Sequence, residues 1–372
     1  MSDESVYEKI AAARRLPGSK GLIRILKNGF TPEEGDIILG LSNTMTAEEL
    51  AKKMGLDIKT VQVRLDSLSW RGWVYTDKGR YTAFPSDPPI LEYSNLPGVP
   101  AEERRAQWLD WFRTEEHQQW IQKESARQRE SNGNGGKAGM RIIPVHRALV
   151  ASPNIKPEQI LWFEDLPEVF KRVAKIFVKR CPCRVAYGTC DAPLESCINF
   201  SYDEKTPEIV ERLGGREITA AEATAITENT EDRAMLNVTL NRIEPGEFCT
   251  CCPCCCGILY PYFNYADPSA KAATLSPSRF RAVIDREACS GCQTCVERCH
   301  FDAIEMQKKS NSKKLAAKVI NEKCMGCGLC VIKCPQNAIT LELIRPPEHI
   351  PVPAGYAISY IPYPEGTFNA IK

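Results

Sequence analysis

Apolar positions recur with a helical period through the first part of the chain, and the segment 31–84 reads as a winged helix-turn-helix. Thr31-Pro32-Glu33-Glu34 supplies an N-cap, a proline at the first helical position and an acidic first turn. Thr46-Ala47-Glu48-Glu49 repeats the cap; Leu50, Ala51 and Met54 form the apolar stripe, and Gly55 stops the helix. Asp57 caps a third helix in which Val61, Leu65 and Leu68 share a face. The period then shortens. Trp73-Val74-Tyr75, the turn Asp77-Lys78-Gly79 and Tyr81-Thr82-Ala83-Phe84 predict a strand, a turn and a strand, the wing.

The rest of the pattern divides the chain further. After a winged-helix domain at 1–90, a helical linker at 91–140 starts with Pro97 and Pro100. It predicts one helix from Ala101 to about Arg129, carrying Trp108, Trp111, Phe112 and Trp120, and then a Gly-rich break at Ser131–Gly136. A cysteine-rich α/β region is expected at 141–275, with helical segments near Leu166–Ala174, Pro207–Leu213 and Thr219–Glu228. Residues 276–345 carry four short strand signals, and 346–372 is a Pro/Tyr-rich extended tail. The fold class is α+β, multidomain.

Composition narrows the function. Net charge is +1, and residues 1–90 hold 13 basic against 12 acidic side chains. The third helix sets Asp57 and Asp66 against Lys59 and Arg64, without the basic stripe that nucleic-acid binding needs. No apolar run reaches the ~18 residues of a membrane span. The acidic start, Met1-Ser2-Asp3-Glu4, and the cations Lys20, Arg24 and Lys27 leave no room for an export signal, so a cytoplasmic location is expected. There thiols stay reduced, and the 18 cysteines read as metal or cluster ligands.

Eight of them form a doubled motif. Cys289-x-x-Cys292-x-x-Cys295-x-x-x-Cys299 is followed by Cys324-x-x-Cys327-x-x-Cys330-x-x-x-Cys334-Pro335. Three closely spaced thiolates wrap one [4Fe–4S] cube, and the fourth reaches the other. Cluster 1 is therefore assigned Cys289, Cys292, Cys295 and Cys334; cluster 2 takes Cys324, Cys327, Cys330 and Cys299. Zinc has no use for such crossing. Gly291 and Gly326 are expected where backbone passes close to sulfide. His300 replaces the proline of the second half; it reads either as a hydrogen-bond donor to a cluster or as a surface substitution. The lysines 308, 309, 313 and 314 read as a solvated loop or as a patch for an acidic partner.

The other ten are Cys181, Cys183, Cys190 and Cys197, then Cys249, Cys251, Cys252, Cys254, Cys255 and Cys256. Cys197 is expected on a short helix opened by Asp191 and Pro193, and the second run outside regular structure because of Pro253 and Gly257. Adjacent thiols rarely meet disulfide geometry. Soft thiolates from two loops point to one or two further Fe–S clusters, with zinc or a redox-active thiol site as alternatives.

The chain resembles an uncharacterised multi-cluster ferredoxin-like family of anaerobes. The residues that carry the resemblance are Cys181-Pro-Cys-Arg184, Asp191-x-Pro-Leu-Glu-x-Cys197, Gly215-Arg-Glu-Ile-Thr219, the Cys249–Cys256 run with Gly257-Ile-Leu259, and both cluster motifs. The resemblance implies electron transfer in anaerobic metabolism. The leading expectation is an electron carrier or subunit of an oxidoreductase complex, with a redox partner protein and a possible homodimer through the winged helix. A redox-sensing transcription regulator and a catalytic Fe–S reductase are the alternatives. No nucleotide fingerprint or P-loop is present.

Overall fold

The computed structural model describes residues 4–77, 79–83, 101–120, 123, 138–207, 210–211, 213–309 and 314–351. The proline-rich connection, the Gly-rich break, Lys313 and the tail beyond 351 lie outside the described residues, as does part of the segment 207–213. Two compact units emerge. The first comprises Met1–Ser125, Arg180–Asp191 and Cys254–Ala266; the second comprises Ala126–Lys179, Ala192–Pro253 and Asp267–Lys372.

The first unit holds the helix Glu4–Ala13 and four helices that follow their caps Ser19, Thr31, Thr46 and Asp57: Lys20–Gly29, Pro32–Gly40, Ala47–Met54 and Ile58–Trp70. Thr31 and Thr46 each close a capping box, with Glu34 and Glu49 reaching back to the cap amide. Gly55 ends the fourth helix at φ +67°, where a β-carbon is strained. Strands β1 (Met45–Thr46), β2 (Val74–Asp77) and β3 (Arg80–Ala83) form an antiparallel sheet in the order β1-β3-β2. Ile25, Leu26, Leu50, Leu65, Leu68 and Trp73 fill the core, each side chain worth about 2 kcal/mol of burial.

The aromatic helix is shorter than expected. It runs Ala101–Phe112 and breaks at Arg113-Thr114. The Thr114 hydroxyl accepts from the His117 amide at 3.2 Å and starts a new helical segment at 115–120. A side-chain cap thus competes with continuation of the helix. Trp108, Trp111, Phe112 and Trp120 are all buried.

The second unit is built on a seven-stranded sheet ordered β10-β4-β8-β9-β6-β5-β7. Its strands are β4 (Met140–Ile142), β5 (Lys175–Arg180), β6 (Glu195–Ser201), β7 (Arg216–Ile218), β8 (Leu236–Leu240), β9 (Glu247–Cys251) and β10 (Leu275–Ser276). Ile176, Val178, Ile198, Phe200 and Phe248 point to one face, under Leu166, Val169, Phe170 and Ala223 from two covering helices, Leu166–Phe170 and Ala220–Asp232. Strand side chains alternate, so Lys179, Cys197, Asn199, Glu247, Cys249 and Cys251 face the other way.

Two predicted placements are corrected here. Cys197 lies within β6, not on a helix: Asp191 and Pro193 mark only a turn before a strand that is buried from Ser196 to Ser201. Cys249 and Cys251 likewise sit on β9, and irregular backbone begins after Cys251. Pro253 lies beyond the end of β9 and leaves its pairing up to Cys251 intact.

The same unit contains β11 (Phe280–Ile284) paired with β14 (Ile339–Leu343), and β12 (Ile304–Lys308) paired with β13 (Leu315–Val319). This module shares buried contacts with the seven-stranded part. Arg279 forms a fully buried ion pair with Glu164 at 2.7 Å, Leu341 donates its amide to Ser152 Oγ at 2.7 Å, and Val145 donates to the Cys327 carbonyl at 2.9 Å. Among the described residues no helix is long and apolar enough to cross a membrane.

Candidate metal centres

The doubled motif folds as two pseudo-equivalent halves, each with a cavity. One is lined by Cys289, Cys292, Cys295 and Cys334. The other is lined by Cys299, Cys324, Cys327 and Cys330. Each takes three thiols of one loop and the last thiol of the other. The two linings are repeat-related and each brings four thiols together, which suits two tenants of one kind.

The donor set fits a cationic, thiophilic group. Burial, then the neighbouring Cys289 thiol, pushes Cys295 up to about 11; burial pushes Cys327 up to about 12 and Cys330 well above its ordinary value. Four thiolates in such a pocket repel one another unless positive charge sits among them, and bound iron supplies it. Cys292 stands apart. It is exposed, and hydrogen bonds from Thr294 hold its thiol below the usual range.

Backbone amides complete each pocket at repeat-related positions. Ala282 donates to Cys324 Sγ and Ala317 to Cys289 Sγ, both at 3.5 Å; Ala303 donates to Cys299 Sγ and Ala338 to Cys334 Sγ, both at 3.3 Å. Amide–sulfur bonds of this kind stabilise the electron-rich, reduced state of a cluster. These four amides were missed in the sequence, although alanine recurs at all four repeat positions.

Both glycines of the cysteine loops sit in the left-handed region. Gly291 and Gly326 adopt φ +79° and +67°. A β-carbon would meet the Leu315 carbonyl oxygen at 2.6 Å in the first and collide with the Phe280 carbonyl in the second. The close approach is to strand backbone. His300 is anchored through its ring: Nε2 lies 2.6 Å from the Ala234 carbonyl oxygen. Arg298 beside it donates to the Glu231 and Asp232 carbonyls at 2.7 and 3.0 Å. Both residues tie the second-cluster side of the module to the end of helix Ala220–Asp232. Lys309 donates to the Glu287 carbonyl at 2.9 Å, while Lys308 and Lys314 are exposed.

The ten upstream cysteines divide between the units. In the first, the Cys190, Cys254 and Cys255 thiols lie within 4.8 Å of one another, and Thr189 Oγ1 is 2.9 Å from Cys255 Sγ. Cys252 is joined to Cys254 through Pro253 alone, so its Cα lies within about 7 Å of that of Cys254. Cys181 caps the helix Pro182–Tyr187, which ends at Gly188 with φ +54°. The hydrogen bond that Cys181 donates to Cys183, then burial, raises the Cys181 thiol well above its usual value, and Cys183 also contacts Cys256. The Gly257 amide donates to Cys183 Sγ at 3.4 Å. The helix Ala101–Phe112 braces both segments through aromatic contacts: Trp108 Nε1 donates to the Tyr187 hydroxyl, and Phe112 packs on Tyr187 and Tyr260 at 5.0 and 5.9 Å.

In the second unit Cys197 and Cys249 are directly opposed partners of β6 and β9, and Cys251 is two residues further along the same face. Lys179 Nζ donates to Asn199 Oδ1 at 2.6 Å on that face. The Cys249 thiolate, then burial, raises Glu247 to about 7. No disulfide joins any of the eighteen cysteines.

Residues 282–341 match a family model described as a 4Fe-4S dicluster domain. No curated protein and no solved structure matches the chain. The C-terminal part is a ferredoxin-like iron–sulfur module, and with the upstream cysteine cluster it points to Fe–S electron transfer.

Proposed function

We propose that the chain is an electron-transfer protein, or the electron-transfer subunit of an anaerobic oxidoreductase complex, relaying single electrons through two [4Fe–4S] clusters and one or two more held by the upstream cysteines. The observation that carries this reading is the pair of cavities, each lined by four cysteines. When bound, the clusters supply one-electron chemistry. The chain's residues hold them, set their surroundings and control access.

Access is asymmetric. Cys292, Ser290 and Gln293 leave the first cavity at the solvent edge, whereas in the second Cys330 is buried and Cys327 half-buried. A run of bonds leads inward from the second. Val145 donates to the Cys327 carbonyl, Ile143 donates to the Asn237 carbonyl at 3.0 Å, and Asn237 is the ladder partner of Thr250, between Cys249 and Cys251. This supports an arrangement in which the upstream cysteines continue the path. Cysteine ligands for it are the candidate set 181–256 named above; iron–sulfur is preferred over zinc because zinc would brace the fold without extending the path.

The layout proposed is a winged helix at 1–90, a helical linker, a cysteine-rich region, the dicluster module and a tail, in a cytoplasmic protein. The winged helix acts in docking or dimerisation. Its third helix and wing expose Ile58, Val63, Trp70 and Tyr75, apolar side chains suited to protein and not to phosphate. The test is a redox titration of anaerobically purified protein followed by EPR. Reversible one-electron signals from two [4Fe–4S] centres support the relay; catalytic turnover of a substrate by the chain alone would favour the reductase reading.

A further inference from the structure

An open groove runs between β11 and β13, strands that belong to different ladders. Its floor includes Ala282 and Ala317, both buried. These are the residues whose amides donate to Cys324 and Cys289, one thiol from each cavity, at 3.5 Å. A molecule seated in the groove is therefore separated from a ligand of each cluster by one peptide unit.

The rim is cationic. Arg281, Arg286 and Lys318 line it against a single carboxylate, Glu342. Glu342 is matched by Arg281 at 2.8 Å. Arg286 donates to the Lys308 carbonyl at 2.8 Å, which leaves its charge uncompensated. Lys318 is exposed; its ladder neighbour Glu305 accepts from Gln307 at 2.6 Å. Lys308 and Lys314 extend the positive field along the adjoining hairpin. Val283 and Leu315, 40% and 43% exposed, supply apolar contact beside it.

We infer that this groove is the docking site of an acidic one-electron carrier protein. The inference rests on the relay reading above and names its partner chemistry. Cations at the rim attract and orient an anionic surface, which raises encounter rates, and Val283 and Leu315 give the complex its desolvated contact. A second copy of this chain would present the same cationic rim, and like charges oppose such self-pairing. In the exchange one electron leaves the reduced carrier and enters the dicluster module; no bond or proton moves.

The test uses the full-length, cluster-loaded protein, with a small acidic flavodoxin as carrier and the methyl viologen radical cation as a second reductant. Binding of the flavodoxin is measured by calorimetry and reduction by stopped flow, across ionic strength. The double variant R286E/K318E should retain wild-type iron content and EPR signals. It should weaken flavodoxin binding and slow reduction by at least about fivefold at low salt, and it should abolish the salt dependence. R286Q/K318Q should fall between. Reduction by the viologen cation should be as fast or faster in the variants. Unchanged flavodoxin binding and rate in R286E/K318E, or a wild-type dimer dispersed by the variant, would overturn the docking site while leaving the relay intact. Failure of both reductants to reduce the wild-type clusters would overturn the relay and the docking site with it.

Discussion

Replacing Glu164 by Ala should destabilise the dicluster module and the seven-stranded sheet together. Arg279 and Glu164 are each 2% exposed and 2.7 Å apart. Arg279 also donates to the Gln159 and Arg345 carbonyls at 3.2 and 3.1 Å, and Glu164 accepts from the Leu161 amide at 3.1 Å. The pair thus joins the strand entering the cluster loops to the segment under the sheet. E164A strands a buried guanidinium, which costs about 3–5 kcal/mol. The two retained carbonyl bonds place the expected loss near 3 kcal/mol, or over 100-fold in the folding equilibrium at about 1.4 kcal/mol per tenfold. The conservative E164Q keeps an acceptor for Leu161 and should lose less. E164L/R279M removes both charges and should recover at least about 1 kcal/mol relative to E164A. Anaerobic guanidinium unfolding, read by far-UV circular dichroism for the sheet and by visible absorbance for the clusters, should show both transitions moving to lower denaturant in step. A loss below about 0.5 kcal/mol, or a sheet transition that moves while cluster absorbance does not, would refute the reasoning.

Other outcomes follow from the same contacts. C334S should abolish the EPR signal of the centre wrapped by Cys289–Cys295, and C299S that of the centre wrapped by Cys324–Cys330; loss in the reverse order would contradict the crossing. G326A should lower iron loading of the second centre, since its β-carbon would collide with the Phe280 carbonyl at φ +67°. Asp165, 2.6 Å from His146 Nδ1, raises that imidazole's pKa against the opposing effect of burial. The stabilisation is fully present below the unfolded value near ~6.5 and is lost as pH rises through the higher folded value, so H146N should flatten the fall in stability above pH ~6.5. The chain should give no selective, sub-micromolar enrichment from a random genomic DNA pool; defined sites so enriched would favour the regulator reading.

Local signals in the sequence anticipated much of the local structure. Thr31, Thr46 and Asp57 each cap the helix expected of them, because a cap needs only the residues within its own first turn. The cysteine spacing was legible for the same reason, as the motif is repeated within one short segment. What failed was non-local. Asp191 and Pro193 resemble a helix start, yet the chain after them is drawn into β6 by ladder partners on β9, some fifty residues away. The break at Thr114 depended on which of two competing local bonds the threonine made. Arg279 and Glu164 carry no sequence signal of pairing, since each alone reads as a surface charge. The division of the upstream cysteines follows from sheet register on one side and from aromatic bracing by Trp108 and Phe112 on the other. No spacing rule encodes either.

The central claim is that the upstream cysteines hold redox clusters of their own beside the two of the dicluster module. Iron, acid-labile sulfide and zinc analysis of anaerobically isolated protein, paired with redox-titrated EPR, tests it directly. The account predicts clearly more than eight irons per chain, roughly twelve to sixteen with matching sulfide. In C251S/C252S, iron should fall while both dicluster signals persist. Eight irons with stoichiometric zinc would contradict it.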